Sequence, residues 1–254
     1  MLTVSNLTKT FGGINAVSGV SFEVTKGMVQ AVIGPNGAGK TTLFNLITGV
    51  YKPSAGSIRF EGQEIGGYAP EKLAQRGISR TFQNLQVPMT LSALENVMSG
   101  AHLRLNSSLA AGLMRWPWVA ARDRALRQHA ADLMEFAGCG RYIRAETRSM
   151  PYGALKRLEI ARALAAEPKI LFLDEPAAGL NHTETHEVEA LIGNLRERGI
   201  TVVLVEHDMK LVMSVAQRIV VLDYGKKLAE GTPEEIRTNR DVIAAYLGAE
   251  SERD

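Results

Sequence analysis

The chain has 254 residues, enough for one large domain or two small ones, and its hydrophobic fraction of 45% can supply a packed core. The formal net charge is only +2, which lacks the basic excess typical of nucleic-acid binding, so we expect no nucleic-acid partner. The single cysteine, Cys139, excludes an intramolecular disulfide and favours a reducing compartment.

The N-terminal part of the chain is rich in short β-like segments. Residues 2–32 and 57–65 contain alternating or β-branched runs separated by glycine-containing turns. This pattern predicts an antiparallel sheet beside the strand that leads into residue 34. The first residues resemble no signal peptide, and no apolar run approaches the roughly 20 residues of a membrane helix, so we expect a soluble cytoplasmic protein.

Residues 34–42 read GPNGAGKTT and match the phosphate-binding pattern G-x-x-x-x-G-K-T. They lie between an apolar run at 29–33, typical of a buried strand, and residues 42–47, whose apolar spacing is helical. At such a turn, glycines let backbone N–H groups approach and hold phosphate oxygens. Lys40 is predicted to reach the β- and γ-phosphates, and the Thr41 hydroxyl to ligate Mg²⁺. The predicted nucleotide contacts in this loop are Gly34, Pro35, Asn36, Gly37, Ala38, Gly39, Lys40, Thr41 and Thr42.

The middle of the chain changes to helical periodicity, and the last third alternates between strands and helices. Helices are predicted at 91–98 and 122–137, and Trp116 and Trp118 between them are interpreted as packing residues. Further along, we predict strands at 170–173, 200–205, 218–222 and 227–230, and helices at 183–198, 209–216 and from 233. This alternation predicts an α/β fold whose mostly parallel sheet is covered on both faces.

Two carboxylates, Asp174 and Glu175, follow the apolar run 170–173. At the end of a buried strand, Asp174 fits a Mg²⁺ ligand, and Glu175 fits a general base that polarises an attacking water. The alternative is a helix cap before Pro176, which the phosphate-binding loop makes less favoured.

Taken in order, the motifs resemble those of the nucleotide-binding subunits of ABC (ATP-binding cassette) transporters. Gln83, within RTFQN, stands at the Q-loop position, and residues 150–162 stand where the family signature opens a helix. Asp174 and Glu175 end the Walker B strand, residues 178–181 match the D-loop, and His207 matches the switch histidine. The resemblance covers essentially residues 1–248.

This resemblance implies a single ABC ATP-binding domain over residues 1–254. Its P-loop NTPase core, with the mostly parallel sheet and an N-terminal antiparallel β subdomain, is expected at 1–85 and 160–248. An inserted helical subdomain that carries the signature is expected at 86–159, and a frayed tail at 249–254.

The resemblance also implies a catalytic set of Lys40, Gln83, Glu175 and His207, with ATP and Mg²⁺ as cofactors. Gln83 contacts Mg²⁺ or the attacking water, and His207 hydrogen-bonds a γ-phosphate oxygen. The proposed magnesium ligands are Thr41, Gln83 and Asp174.

An aromatic residue upstream of the phosphate-binding loop, Phe11, resembles the one that stacks on adenine in this family, with Val17 as a nearby apolar contact. The alternative for Phe11 is a core aromatic.

The signature departs from the family consensus LSGGQ. Pro151, Tyr152 and Ala154 replace its serine, first glycine and glutamine, whereas Gly153 is retained. The family uses this element to close over ATP held by the opposing subunit. Because proline offers neither a hydroxyl nor an N–H, we expect the composite site that uses this signature to hydrolyse ATP more slowly. Asn181 also stands where the D-loop usually has Asp.

The same departures, with the segments 80–84, 175–181 and 205–209, resemble the LivG-type ATPase subunits of branched-chain amino acid importers. That resemblance implies a paralogous ATPase subunit, or a second copy of this chain, as partner in a nucleotide-sandwich dimer. It also implies two membrane permease subunits, a periplasmic or extracellular solute-binding protein, and a place on the cytoplasmic face of the inner membrane. A urea or amide importer and a lipopolysaccharide exporter remain alternatives.

Other classes are less well supported by the sequence. A DNA-repair or ribosome-associated ABC ATPase would need a long coiled coil or two cassettes, and a silent nucleotide-binding regulator would not need the complete catalytic set. His182 and His186 share the i, i+4 spacing of a metal site, but they lack an evident third ligand, so we do not expect a metal there.

Overall fold

The computed structural model describes residues 1–102 and 117–251. Trp116 and the side chain of Trp118, interpreted above as packing residues, lie outside the described residues. In the part of the chain that is described, no helix combines the length and the apolar character needed to cross a membrane.

The described residues contain ten strands and nine α-helices. The strands are β1 (Leu2–Phe11), β2 (Ile14–Val24), β3 (Val29–Ile33), β4 (Ala55–Phe60), β5 (Gln63–Glu64), β6 (Ile78–Arg80), β7 (Ile170–Asp174), β8 (Thr201–Val205), β9 (Arg218–Asp223) and β10 (Lys226–Gly231). The helices are α1 (Lys40–Ile47), α2 (Pro70–Gln75), α3 (Ala93–Gly100), α4 (Pro117–Phe136), α5 (Tyr152–Leu164), α6 (His182–Glu197), α7 (Met209–Val215), α8 (Pro233–Thr238) and α9 (Arg240–Ser251).

The strands form two sheets. The larger has the order β10-β9-β3-β8-β7-β6 and is parallel except for the β9–β10 hairpin. The smaller is antiparallel, with the order β2-β1-β4-β5. The predicted architecture of a mostly parallel core with an N-terminal antiparallel sheet is therefore confirmed.

The central strands are buried on both faces, as parallel strands usually are. Every residue of β3, β7 and β8 is buried. Along β7, Ile170 and Phe172 pack with α1 and the smaller sheet, whereas Leu171 and Leu173 pack with α5 and α6. The alternation of side chains along one strand thus joins the two hydrophobic layers.

The helical segment packs α3, α4 and α5 against the core, and it holds one buried polar pair. Asn96 in α3 and Thr147 before α5 are both fully buried. The Asn96 side-chain amide donates to the Thr147 hydroxyl at 2.8 Å, and that hydroxyl donates to the Leu91 carbonyl at 2.7 Å.

Several boundaries differ from the prediction. Helix α4 begins at Pro117 rather than at residue 122, the helix predicted from residue 233 is divided into α8 and α9, and the sequence patterns did not predict α2 or β6. The predicted tail at 249–254 begins too early, because α9 continues to Ser251. Its hydrophobic residues Val242 and Tyr246 pack against Ile33 and its neighbours, which explains why the chain stays helical there.

The topology places four chain segments at one edge of the larger sheet. The carboxyl ends of the parallel strands β3, β6, β7 and β8 lie together, and each is followed by a loop that carries a predicted site residue. Ligands of open α/β sheets bind at this edge.

The Asn96–Thr147 pair allows a test of the helical packing. We expect Thr147→Val, which keeps the shape and removes the hydroxyl, to lower the free energy of unfolding by about 1–3 kcal/mol, because buried donors and acceptors lose their partners. Urea denaturation measures the change. Thr183→Val at an exposed position of α6 is the control, and an equal loss in both variants would contradict the argument.

Candidate active site

The loop after β3 lines a cavity of about 560 Å³ together with β2, the β9–β10 turn and the loops after β6 and β7. From the predicted site, Asn36, Gly37, Ala38, Gly39, Lys40, Thr41, Thr42, Gln83 and Glu175 line it. Gly34 stands beneath it with φ of 150°, and a Cβ there would lie 2.1 Å from the Leu222 carbonyl oxygen. The glycine is therefore required by a close backbone approach, as expected for a phosphate-binding loop.

The ammonium group of Lys40 is held over this loop. Its Nζ donates to the carbonyl oxygens of Gly34 at 2.7 Å and Pro35 at 2.8 Å, and the residue is 8% exposed. Burial lowers the pKa of Lys40, while the nearby carboxylates of Glu175 and Asp174 act in the opposite direction. The lysine is thus positioned beside the loop whose N–H groups can bind phosphate.

Asp174, the last residue of β7, is buried and paired with a cation. Arg80 Nη2 lies 2.6 Å from Asp174 Oδ2, and Arg80 Nη1 donates to Asn45 in α1 at 2.6 Å and to Thr48, the C-cap of α1, at 2.9 Å. Burial raises the pKa of Asp174, and the Arg80 guanidinium opposes that rise. In the β6–β7 register Arg80 stands opposite Phe172, and this register brings the Arg80 side chain close to that of Asp174.

The other predicted catalytic residues converge on Glu175. Gln83 Nε2 donates to Glu175 Oε2 at 3.0 Å, and His207 Nδ1 lies 3.8 Å from the same oxygen. Glu175 has φ of 48°, a left-handed conformation that is costly for a residue other than glycine and that is found at functional sites. Its backbone N–H donates to the Val205 carbonyl at 2.9 Å, which keeps β7 and β8 in contact beyond the sheet.

The oxygen donors at this edge suit magnesium. Thr41 supplies a hydroxyl, Gln83 an amide oxygen and Asp174 a carboxylate, which are the hard ligands that Mg²⁺ prefers, completed by water and phosphate oxygens. Thr41 and Gln83 line the cavity, and Asp174 lies directly before Glu175.

Three buried charged residues that sequence reasoning did not assign to the site connect its loops. Besides Arg80, Lys156 in α5 is 2% exposed and donates to the carbonyl oxygens of Gln83 at 2.9 Å and Glu175 at 3.4 Å. Glu206, at the end of β8, is 1% exposed and accepts hydrogen bonds from backbone N–H groups. The only feature of the sequence that points to these three residues is that each is a charged residue close to apolar ones.

The predicted adenine contacts lie beside the cavity rather than in its lining. Phe11 is 42% exposed and packs edge-on against Tyr51, with ring centroids 5.3 Å apart. The Lys9 ammonium lies 4.9 Å from the Phe11 ring centroid. Val17 is fully buried beneath Gly39, so it supports the loop from below. Adenine binding by either residue stays a prediction.

The signature residues line a different cavity. Pro151 and Ala154 face a space of about 490 Å³ together with Asn181 and His182. Pro151 is the N-cap of α5 and makes no side-chain cap hydrogen bond, and Ala154 is buried. A Cβ on Gly153 would lie 2.3 Å from the Glu184 carboxylate, so a larger residue there would displace that side chain. This chain's own signature does not close over its own phosphate-binding loop.

The histidines of α6 form a hydrogen-bonded chain. His186 Nε2 lies 3.2 Å from His182 Nε2, and His186 Nδ1 lies 3.0 Å from Glu189. Among the described residues, no group of three or more His, Cys, Asp or Glu side chains is placed to hold a metal ion.

The phosphate-binding loop, the paired carboxylates and the separate signature helix define an ATPase of the ATP-binding cassette class. The family described as "ABC transporter" matches residues 17–178, and "Branched-chain amino acid ATP-binding cassette transporter" matches residues 226–252. The chain therefore belongs to the ABC transporter family, and it is an ABC-type ATPase.

Individual relatives agree with this assignment. The chain is 48% identical to the high-affinity branched-chain amino acid transport ATP-binding protein BraF of Pseudomonas aeruginosa, over 98% of each chain. It is 43% identical to LivG of Escherichia coli K12, again over 98% of each chain. A solved ATP-binding cassette of an ABC transporter in its ADP conformation is 31% identical, with a TM-score of 0.85 over 98% of each chain.

The Arg80–Asp174 pair predicts a pH-dependent loss of stability. We expect Arg80→Met to destabilise the fold by about 3–5 kcal/mol at pH 8, because a buried carboxylate loses its cation. Without Arg80, the pKa of Asp174 in the folded chain lies even further above its value in the unfolded chain. Stability that is present near pH 4 is then lost as the pH rises, so the defect is smaller at pH 5 than at pH 8.

Denaturation at both pH values measures this effect. Adding Asp174→Asn removes the buried charge and should restore much of the stability at pH 8. Arg59→Met, which breaks only an exposed ion pair with Glu64, should cost less than about 1 kcal/mol. A defect that is independent of pH and insensitive to Asp174→Asn would contradict the interpretation.

Proposed function

We propose that this chain is the ATP-binding and ATP-hydrolysing subunit of a membrane importer for branched-chain or other hydrophobic amino acids. The observation that carries the proposal is that Lys40, Gln83 and Glu175 line one cavity with the phosphate-binding loop, and that His207 lies 3.8 Å from Glu175. The names of the similar ATPases supply the solute class.

Each residue has a defined task in the proposed reaction. The N–H groups of residues 36–42 and the Lys40 ammonium bind the β- and γ-phosphates and stabilise charge that develops on the transferred group. Glu175 accepts a proton from the attacking water, and Gln83 orients the Glu175 carboxylate through their 3.0 Å hydrogen bond. His207, 63% exposed, contacts a γ-phosphate oxygen. Thr41, Gln83 and Asp174 would hold magnesium, which would supply charge neutralisation at the phosphates.

The second half of each ATP site comes from another ATPase subunit. Because this chain's signature lines a separate cavity, we propose that residues 151–154 cover ATP held by a paralogue or a second copy, and that the partner's signature covers this one. Phe11 is proposed to stack on the adenine of the bound ATP, with Val17 behind the loop.

A groove beside the Q-loop suits the membrane partners. It has a volume of about 380 Å³ and is lined by residues that follow α1, by α2 and β6, and by residues of α3 and α5. Its exposed apolar residues include Val50 and Phe82, and Phe82 directly precedes Gln83. We propose that a short helix of one permease docks here, and that this contact holds the ATPase at the cytoplasmic face of the membrane. A periplasmic or extracellular binding protein would deliver the solute to the permeases.

The catalytic proposal predicts a clean separation of binding from turnover. We expect Glu175→Gln to lower ATP turnover by about 10²–10⁴-fold and to leave ATP affinity nearly unchanged, because the amide keeps the size of the side chain but accepts no proton. Phosphate release and binding of a fluorescent ATP analogue measure the two effects. Glu197→Gln, at an exposed position of α6, is the matched control. Unchanged turnover in Glu175→Gln would refute the assigned base.

The docking proposal predicts a selective loss of partners. Val50→Asp places a charge in the apolar groove and should reduce recovery of the two permeases from solubilised membranes by about tenfold or more. ATP binding by the isolated subunit should be retained. Ile243→Asp changes an equally exposed apolar residue outside the groove and should have no effect. Recovery of ribosomes or DNA in place of permeases would refute the transport assignment.

A further inference from the structure

Glu206 is a buried carboxylate that no catalytic step described above uses. It follows β8 directly and precedes His207, and only 1% of its surface is exposed. Oε1 accepts a hydrogen bond from the Ala177 N–H at 2.9 Å. Oε2 accepts from the N–H groups of His207 at 2.9 Å and Asp208 at 3.4 Å.

These contacts explain why a carboxylate rather than an amide or a hydroxyl stands at this position. Three N–H donors point at it, and a carboxylate is the side chain that accepts hydrogen bonds at both oxygens and donates none. In the described residues its only ion-pair partner is the His207 imidazole, with Nδ1 at 3.7 Å. An isolated buried charge is costly, so the three N–H bonds are what stabilise it.

The two oxygens bind two different loops. Ala177 belongs to the segment that starts at Glu175 and leads into the D-loop, whereas His207 and Asp208 begin the switch loop after β8. The His207 side chain is 63% exposed, and its distance to Glu175 Oε2 is 3.8 Å. With so few contacts of its own, the imidazole depends on the backbone beneath it for its place.

We propose that Glu206 is a positioning residue that fixes the switch loop to the segment after Glu175, and so holds His207 in register with the general base. This inference rests on the proposed roles of Glu175 and His207. It assigns no contact with ATP to Glu206. The residue acts through His207, whose loop it joins to the start of the D-loop.

Glu206→Gln is the sharpest test. The amide keeps the size of the side chain but carries one acceptor oxygen and one N–H₂ group, so N–H faces N–H on one of the two loops. We expect kcat for ATP to fall about ten- to a hundredfold, with a change in KM of less than about threefold. Glu230→Gln is the control, because Glu230 accepts hydrogen bonds from Lys227 and Arg218 side chains and touches neither loop.

A double-mutant cycle separates positioning from general support of the fold. If Glu206 acts through His207, Glu206→Gln should lower kcat by less than about twofold in a His207→Ala background. An equal loss in both backgrounds would overturn the proposal, and so would an unchanged kcat in the single variant. If Glu206→Gln fails to fold, Glu206→Asp serves in the same cycle, because its shorter side chain keeps the charge but cannot reach both loops.

Amide hydrogen exchange tests the contact independently of activity. In the full chain without nucleotide, exchange at Ala177, His207 and Asp208 should accelerate in Glu206→Gln and stay unchanged in Glu230→Gln. Unchanged protection at these amides would overturn the proposal. If exchange accelerates but His207→Ala leaves turnover intact, the contact stands and the proposed role of His207 fails instead.

Discussion

Backbone packing that excludes side chains holds the phosphate-binding loop in place. A Cβ on Gly39 would lie 2.5 Å from the Ala16 carbonyl oxygen, and one on Gly34 would meet Leu222. The Gly225 N–H donates to the Ala38 carbonyl at 3.1 Å, and the Ser18 N–H donates to the Gly225 carbonyl at 2.7 Å. The loop is therefore fixed by β2 and by the β9–β10 turn before any ligand binds. Such preorganisation lets its N–H groups act on phosphate without reorganising during the reaction.

The loops around this fixed element are joined by buried charges. Arg80 links α1 to β7, Lys156 links the Q-loop backbone to that of Glu175, and Glu206 links the segment after β7 to the switch loop. Each of these side chains makes hydrogen bonds to two different chain segments, in addition to the backbone hydrogen bonds between the strands. Because the removal of one partner leaves a buried group unpaired, these bridges tie the geometry of each loop to that of its neighbour.

The sequence predicts the frame of the molecule well, for local reasons. The apolar runs of β3, β7 and β8 and the G-x-x-x-x-G-K-T pattern are contiguous, so their type and the residues they carry follow from neighbours in the chain. Arg80 could not be assigned in this way, since its partner depends on the β6–β7 register across 94 positions. The division of the helix predicted from residue 233 into α8 and α9 was not foreseen, because tertiary packing of Val242 and Tyr246 places the second helix. The packing of Val17 beneath Gly39 is likewise a long-range contact that the local pattern could not show.

Catalytic residues and signature residues line two separate cavities, and this separation affects how ATP would be hydrolysed in a dimer. Lys40 and Glu175, the proposed base, line the cavity of the phosphate-binding loop, and His207 lies 3.8 Å from Glu175. The signature segment itself is poorer in donors than the family consensus, because Pro151 has no N–H and Ala154 stands in place of a glutamine. What the segment keeps for an anion are the backbone N–H groups at the start of α5, and Arg141, Arg157 and His182 also line its cavity. In a dimer with a paralogue, this deficit falls on the paralogue's ATP, whereas in a homodimer it falls on both sites. The identity of the second subunit therefore decides whether this chain's complete hydrolytic half is matched by an equally complete signature.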